Sequence, residues 1–277
     1  YLDRRHDLAL PNRVPLPRPD LRLIQRPIGP VAVFGASNFP LAFSVAGGDT
    51  AAGLAAGCPV IVKGHSAHPG TSEIVAQAID DSIKACNMHP GTVSVIQGGS
   101  RDVGQALVQH PLIKAVGFTG SLAGGKALFD FCAAREEPIP FFGELGSVNP
   151  MFLLPHAIAN RGGEISSGWV GSLTMGAGQF CTNPGIAIVI DGADAANFIN
   201  DVTTLLSKVD SQMMLTDGIS KAYRVGCERM SSFDAVGQLK NASEINRTAL
   251  PQLFVTTGKT WLTNFELSEE VFGPSGL

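Results

Sequence analysis

Short apolar runs alternate with helix-length segments between residues 31 and 142, and this alternation constrains the fold more than any other feature of the chain. Each run has the length of a buried strand and is followed within two residues by glycine. Strands that alternate with helices form right-handed βαβ units around a mostly parallel sheet. We therefore predict an α/β fold with a Rossmann-like first domain, whose ligands bind at the carboxyl ends of the strands. The predicted strands are 31–34, 59–63, 93–96, 114–118 and 139–142, and the predicted helices are 41–57, 71–87, 100–109 and 126–135.

A second α/β set follows the first. We predict strands at 151–154, 185–190 and 253–255 and helices at 165–177, 195–208 and 219–232. Residues 1–25 mix charges with prolines and are expected to form an irregular lead-in. The predicted domains are 26–146 and 147–277, with the boundary near residues 144 to 149.

Composition limits the classes of function. The net charge of -4, with no basic stripe, argues against a nucleic-acid partner. Five scattered cysteines without a Cys-x-x-Cys pair favour a reducing compartment, and we expect the cytoplasm. No apolar run reaches the length of about 18 residues that a membrane-spanning helix needs.

The two ends of the chain suggest a larger protein. The sequence begins with Tyr1 instead of methionine and stops just after a Gly-Pro turn. We expect it to be a piece of a longer chain, in which the second domain is incomplete at its carboxyl end.

Cys181 is the leading candidate for a reactive group. It lies in a small, polar segment, Gly-Gln-Phe-Cys-Thr-Asn-Pro-Gly, between a predicted helix and a predicted strand. A thiol in such a loop can meet a substrate, although a lone cysteine is more often a small buried hydrophobe. Asn38 before Phe-Pro could instead bond a turn, and Glu144 alone could be a solvated carboxylate.

Six short motifs occur in order along the chain. They are Asn38 in Ser-Asn-Phe-Pro, Lys63 after its strand, Gly120-x-x-x-x-Gly125, Glu144-Leu-Gly, Gly178-Gln-Phe-Cys181 and Glu269-Glu-Val-Phe-Gly-Pro274. Taken together, they resemble the aldehyde dehydrogenase superfamily, from about Arg26 to the end of the chain. The segments 34–73 and 176–185 are most similar to the branch that oxidises 2,5-dioxopentanoate. One departure is Ser147, which stands where many members carry a second glycine.

The resemblance implies oxidation of a small aldehyde, such as a semialdehyde, to an acid. Cys181 would attack the carbonyl, because an aldehyde releases hydride readily only from a tetrahedral adduct. The Asn38 amide and the Cys181 backbone N–H would stabilise the oxyanion. Glu144 would activate the water that cleaves the resulting thioester, and it could also deprotonate the thiol.

The resemblance also implies a nicotinamide cofactor. Lys63 would hold the adenosine ribose, and NAD-preferring members carry a glutamate where this chain has Ser66. A hydroxyl with Arg101 nearby suits a 2′-phosphate, so we predict NADP, usable alongside NAD. A surface role for Arg101 remains the alternative. The remaining predicted cofactor contacts are Gly120, Ser121 and Gly125 at the pyrophosphate, and Glu270 and Phe272 at the nicotinamide ribose and ring.

Other candidate sites are weaker. His65-x-x-His68 lies in a proline loop without a Cys or Asp cluster, so we predict no metal site. Nothing local offers Cys181 a histidine partner for protease chemistry. Met213 and Met214 are expected in the core.

A second hypothesis is that the chain is a truncated, catalytically incompetent piece that acts only in binding or assembly. Family members continue past Glu-Glu-Val-Phe-Gly-Pro and return a β arm that joins subunits. We therefore expect the full-length protein to be a homo-oligomer. The identity of the aldehyde is left open.

Overall fold

The computed structural model describes residues 6–234, 236–238 and 247–277. The chain divides into two compact units, Tyr1–Leu145 and Gly146–Leu277, and each contains hydrophobic clusters of its own. Among the described residues, no helix is both long enough and apolar enough to cross a bilayer.

The first unit contains the predicted alternation. Its strands are β1 (His6–Asp7), β2 (Leu21–Arg22), β3 (Val31–Phe34), β4 (Val60–Lys63), β5 (Val93–Ile96), β6 (Ala115–Gly120) and β7 (Phe141–Leu145). Its helices are α1 (Gly48–Ala55), α2 (Pro69–Ala85), α3 (Arg101–Gln109) and α4 (Leu122–Ala133), with a 3₁₀ turn at Pro90–Thr92.

Five strands form one parallel sheet in the order β5-β4-β3-β6-β7. The first of these strands along the chain, β3, lies at the centre, which is the doubly wound order of Rossmann-like folds. Val31 and Val33 join one hydrophobic cluster, whereas Ala32 and Phe34 join another. Because β3 is buried on both faces, its sequence is continuously apolar instead of alternating. The predicted α/β class with a parallel sheet is confirmed.

Several predicted boundaries in this unit are wrong. The helix predicted at 41–57 covers only Gly48–Ala55, because the preceding residues form turn bonds such as Gly48 N–H to the Ala42 carbonyl (3.1 Å). The strand predicted at 139–142 is Phe141–Leu145, since its pairing with β6 continues to Gly120. The lead-in predicted as irregular contains the antiparallel pair β1–β2.

The second unit is also mixed α/β. Its strands are β8 (Pro150–Leu153), β9 (Ile186–Val189), β10 (Gln212–Met213), β11 (Gly237–Gln238), β12 (Thr248–Ala249), β13 (Gln252–Val255) and β14 (Ser275–Gly276). Its helices are α5 (Pro155–Thr174), α6 (Ala193–Leu206), α7 (Asp217–Ser231) and α8 (Gly258–Thr263), with 3₁₀ turns at Met175–Gly178 and Phe265–Ser268.

The core of this unit joins α5 and α6 to the strands β8 and β9, which pair in parallel. Helix α5 starts ten residues before its predicted start, with Pro155 in the first turn, where its fixed φ fits a helix. Of the two methionines expected in the core, Met214 is fully buried but Met213 is 60% exposed. Strand β14 pairs in parallel with β13, which is the central strand of the three-stranded sheet β11-β13-β14.

Candidate active site

The segment before Cys181 turns sharply away from helix α5. Gly176, Ala177 and Gly178 have positive φ angles of 55°, 56° and 65°. The Gln212 side chain accepts a bond from the backbone N–H of Ala177 at 2.8 Å, which stabilises this unusual backbone. The chain then turns at Cys181, whose side chain is exposed. The alternative of a small buried hydrophobe therefore does not describe Cys181, although it does describe Cys58.

Asn183 fixes the other side of this turn. Its amide nitrogen lies within hydrogen-bond distance of the carbonyls of Leu173 (3.2 Å), Gly178 (2.8 Å) and Gly273 (3.3 Å). A methyl group on Gly178 would lie 2.3 Å from the carbonyl carbon of Gly273. The backbone of the cysteine loop thus lies directly against the Phe-Gly-Pro segment, and only glycine permits this approach.

The carbonyl of Cys181 is held by two side chains. The Ser147 hydroxyl donates to it, and so does the Asn149 amide at 2.8 Å. The Asn149 amide also donates to the Asn183 carbonyl at 3.0 Å. Sequence reasoning missed these contacts. The available signal was that Asn149 and Asn183 each directly precede a proline in a loop, where asparagine amides commonly bond nearby backbone.

Glu270 is half-buried beside the same segment. Its carboxylate accepts a hydrogen bond from the backbone N–H of Ser147 and lies over Gly146, where an added methyl would be 2.8 Å from Oε2. Burial raises the pKa of Glu270, and the Ser147 N–H opposes that rise. Glu270 and Phe272 line a cleft that Ser147 and Gly178 also line. The structure therefore brings the predicted nicotinamide residues next to the residues that hold the cysteine loop.

In the first unit, the predicted residues follow strands that end at one edge of the sheet. Phe34 pairs with Lys63 on one side and with Phe118 on the other, and Thr119 pairs with Glu144. Asn38 follows β3 by four residues and is partly buried. Glu144 is exposed and lies one residue before the end of β7. Parallel strands present such residues on the ligand-binding side of the sheet.

The glycines at the start of α4 have a packing role. The Ser121 hydroxyl accepts from the Gly124 N–H at 3.2 Å, so the helix begins at Leu122 and Gly125 lies inside its first turn. A methyl group on Gly120 would meet the Phe118 ring at 2.8 Å, and one on Gly125 would meet the Leu145 side chain at 1.9 Å. Close packing therefore accounts for both glycines, and the N-terminus of the helix keeps the polarity that suits a pyrophosphate.

The residues predicted to contact the adenosine ribose lie at or after the carboxyl ends of the neighbouring strands β4 and β5. They are Lys63, Ser66 and Arg101. Lys63 is the last residue of β4, and burial lowers the pKa of its half-buried amine. Ser66 lies in the loop after it, and Arg101 is the first residue of α3. A backbone hydrogen bond connects the ends of β4 and β5, because the Gly64 N–H donates to the Ile96 carbonyl at 2.9 Å.

His65 and His68 stabilise this loop. The His65 Nδ1 accepts from the Ala67 N–H at 3.0 Å, and the His68 Nε2 bonds the Ala36 carbonyl at 2.8 Å. Burial, together with the nearby His68 and Lys63, lowers the pKa of His65 to about 4. Within the described ranges, no three His, Cys, Asp or Glu side chains are grouped as a metal site would require.

Asp49, which sequence reasoning did not single out, is a second carboxylate near Glu144. Burial raises the pKa of Asp49, and the charge of Glu144 adds to the rise. The side chain lies against Gly117, where an added methyl would be 3.2 Å from the Asp49 carboxyl group. Only the fold reveals this pairing, because Asp49 and Glu144 are far apart in the sequence.

A family model described as the aldehyde dehydrogenase family matches residues 5–226. The chain belongs to this family. All six motifs of the aldehyde dehydrogenase resemblance lie in the described part of the chain: three in the first unit, two in the second, and Glu144-Leu-Gly at the boundary between them.

Two curated relatives share the aldehyde dehydrogenase sequence along the whole chain. Alpha-ketoglutaric semialdehyde dehydrogenase 2 of Azospirillum brasilense is 49% identical over 279 residues, covering 100% of this chain and 53% of the relative. Alpha-ketoglutaric semialdehyde dehydrogenase of Acinetobacter baylyi is 46% identical over 281 residues, with the same two coverages of 100% and 53%. The chain thus spans about half the length of these relatives.

Solved structures of other dehydrogenases share the aldehyde dehydrogenase fold. Glyceraldehyde-3-phosphate dehydrogenase GapN from Methanocaldococcus jannaschii, complexed with NADP, superposes with a TM-score of 0.77 at 19% identity. The match covers 98% of this chain and 57% of that one. At this identity the comparison shows the fold alone.

Proposed function

We propose that the protein oxidises a small semialdehyde to the carboxylic acid, with NADP or NAD, through a thioester on Cys181. The observation that supports this most strongly is the exposed Cys181 in a loop whose backbone is held by Ser147, Asn149 and Asn183. Holding a nucleophile in one geometry lowers the entropic part of the barrier. The two relatives named as alpha-ketoglutaric semialdehyde dehydrogenases suggest 2,5-dioxopentanoate as the substrate.

The proposed chemistry has two halves. The Cys181 thiolate adds to the aldehyde carbon, and the Asn38 amide donates to the oxyanion that forms. A nicotinamide cofactor held by Lys63, Glu270 and Phe272 would supply the hydride acceptor for that carbon, and loss of the hydride would leave a thioester on Cys181. Glu144 then takes a proton from a water molecule, which attacks the thioester and releases the acid and the Cys181 thiolate.

The residues at the sheet edge fit a nicotinamide dinucleotide. Lys63 and Arg101 supply cationic side chains after neighbouring strands, and the loop from Gly64 to His68 contains no carboxylate that would repel a 2′-phosphate. The N-terminus of α4 suits a pyrophosphate because its first backbone N–H groups point outwards along the helix axis. We therefore propose NADP as the preferred cofactor, with NAD usable.

Kinetics on the full-length protein test the proposal. With NADP present, 2,5-dioxopentanoate should be oxidised faster than propanal, and formation of NADPH should be lost in Cys181→Ala. Cys86→Ala is the matched control, because Cys86 is also an exposed cysteine. Oxidation that survives Cys181→Ala, or that is lost equally in Cys86→Ala, contradicts the proposal.

We further propose that the full-length protein is a cytoplasmic homo-oligomer. This follows from the family resemblance and the cysteine content. Light scattering on the full-length protein tests the oligomer, and a mass equal to one chain contradicts it.

A further inference from the structure

Ser147 contacts two separate parts of the second unit, the cysteine loop and the side chain of Glu270. Its hydroxyl donates to the carbonyl of Cys181, 34 residues away in the sequence. Its backbone N–H donates to the carboxylate of Glu270. One residue thus contacts both the loop of the proposed nucleophile and the side chain proposed to hold the nicotinamide ribose.

Neighbouring groups restrict the positions of both the Glu270 carboxylate and the Cys181 carbonyl. The Glu270 carboxylate lies over Gly146, whose φ is +73° and where an added methyl would be 2.8 Å from Oε2. The Cys181 carbonyl also accepts from Asn149, so two donors fix its direction. Asn149 bonds the cysteine loop a second time, at the Asn183 carbonyl. Ser147 contacts both the cysteine loop and Glu270.

We propose that Ser147 is a positioning residue that couples the cysteine loop to Glu270, so that the thiol and the nicotinamide ribose site are held at a fixed separation. The inference depends on the proposed function for its catalytic meaning. The coupling itself is a property of the second unit and is measurable without substrate or cofactor.

Alkylation by iodoacetamide gives the substrate-free test on the full-length protein. Ser147→Ala should speed alkylation of Cys181 by about three- to tenfold relative to Cys86 in the same sample, as expected for the loss of one net hydrogen bond. Ser147→Thr keeps the hydroxyl and should restore the wild-type ratio. Ser207→Ala is the matched control, because Ser207 also donates to a carbonyl, that of Thr204, at 2.7 Å.

A double-mutant cycle tests the coupling. Glu270→Ala should speed alkylation of Cys181 when Ser147 is present and should add little to Ser147→Ala, since the link is then already broken. Rate effects that simply multiply contradict the proposal. So does an unchanged Cys181-to-Cys86 ratio in Ser147→Ala.

Steady-state kinetics then separate this inference from the proposed function. Ser147→Ala should lower kcat by about tenfold while leaving the KM for NADP within about twofold, because the N–H to Glu270 is retained. A raised KM at unchanged kcat overturns the positioning role. If the wild-type protein oxidises no aldehyde, the proposed function fails, and the alkylation cycle still decides whether Ser147 couples the two groups.

Discussion

The imidazole of His65 is partly buried, and burial together with the nearby His68 and Lys63 lowers its pKa from 6.5 to about 4. The ring is therefore neutral in the folded protein at pH values where the unfolded chain already binds a proton. Unfolding then takes up a proton, so stability is lost as the pH falls from 6.5 towards 4. After discounting for the exposed part of the ring, we expect a loss of about 1 to 2 kcal/mol in the free energy of unfolding.

His65→Asn isolates this effect. Asparagine can still accept the Ala67 N–H in a local turn, but it does not titrate. Urea unfolding at pH 7 and at pH 4.5 should show a smaller loss of stability in the variant than in the wild type. Equal losses would show that His65 does not cause the pH dependence.

Individual side chains show where sequence reasoning succeeds and where it stops. Cys181 could be predicted as exposed, because polar and turn-forming residues surround it. The bond from Ser147 to the Cys181 carbonyl could not, since the partners are 34 residues apart and neither carries a local pattern. Serine at 147 was therefore interpreted as a minor departure from the family, although its hydroxyl contacts the cysteine loop.

Helices and strands were also predicted where the local sequence determines them and missed where distant residues do. Strand β3 lies at its predicted residues 31–34, because four consecutive apolar residues suit a strand buried on both faces. Strand β14 was not predicted, because Ser275–Gly276 has no strand pattern and pairs only through its contact with β13. Helix α5 begins ten residues before its predicted start, but its backbone is not helical at Arg161 (φ -135°, ψ 21°), so the predicted segment 165–177 lies after this kink.

Two glycines near the cysteine loop provide a matched pair of substitutions. Gly178 has φ +65° and contacts the Gly273 backbone, whereas Gly168 lies in helix α5 with open space where a methyl would be. Gly178→Ala should lower the free energy of unfolding by about 3 kcal/mol or more, because neither backbone can move aside cheaply. Gly168→Ala should raise it by about 0.5 to 1 kcal/mol. Denaturant unfolding measures both, and similar effects of the two would contradict the close approach.

The chain combines a Rossmann-like parallel sheet with a second unit that carries the cysteine loop. Cofactor preference tests the proposal that the sheet binds NADP. Arg101→Ala should raise the KM for NADP by about tenfold or more and that for NAD by less than about twofold, because only NADP carries the 2′-phosphate. Arg101→Lys keeps the charge but loses the bidentate geometry, and it should fall between the two. Equal changes in both KM values would leave Arg101 as a surface arginine.

The thioester on Cys181 is the central claim, and rapid-quench mass spectrometry tests it most directly. Full-length protein with Glu144→Gln is mixed with NADP and 2,5-dioxopentanoate, quenched in acid, digested and analysed. Because this variant lacks the carboxylate proposed to activate water, we predict that the acyl group accumulates on the Cys181 peptide in equal amount to the NADPH formed. NADPH formed without an acyl group on Cys181, or with the group on another residue, would contradict the account.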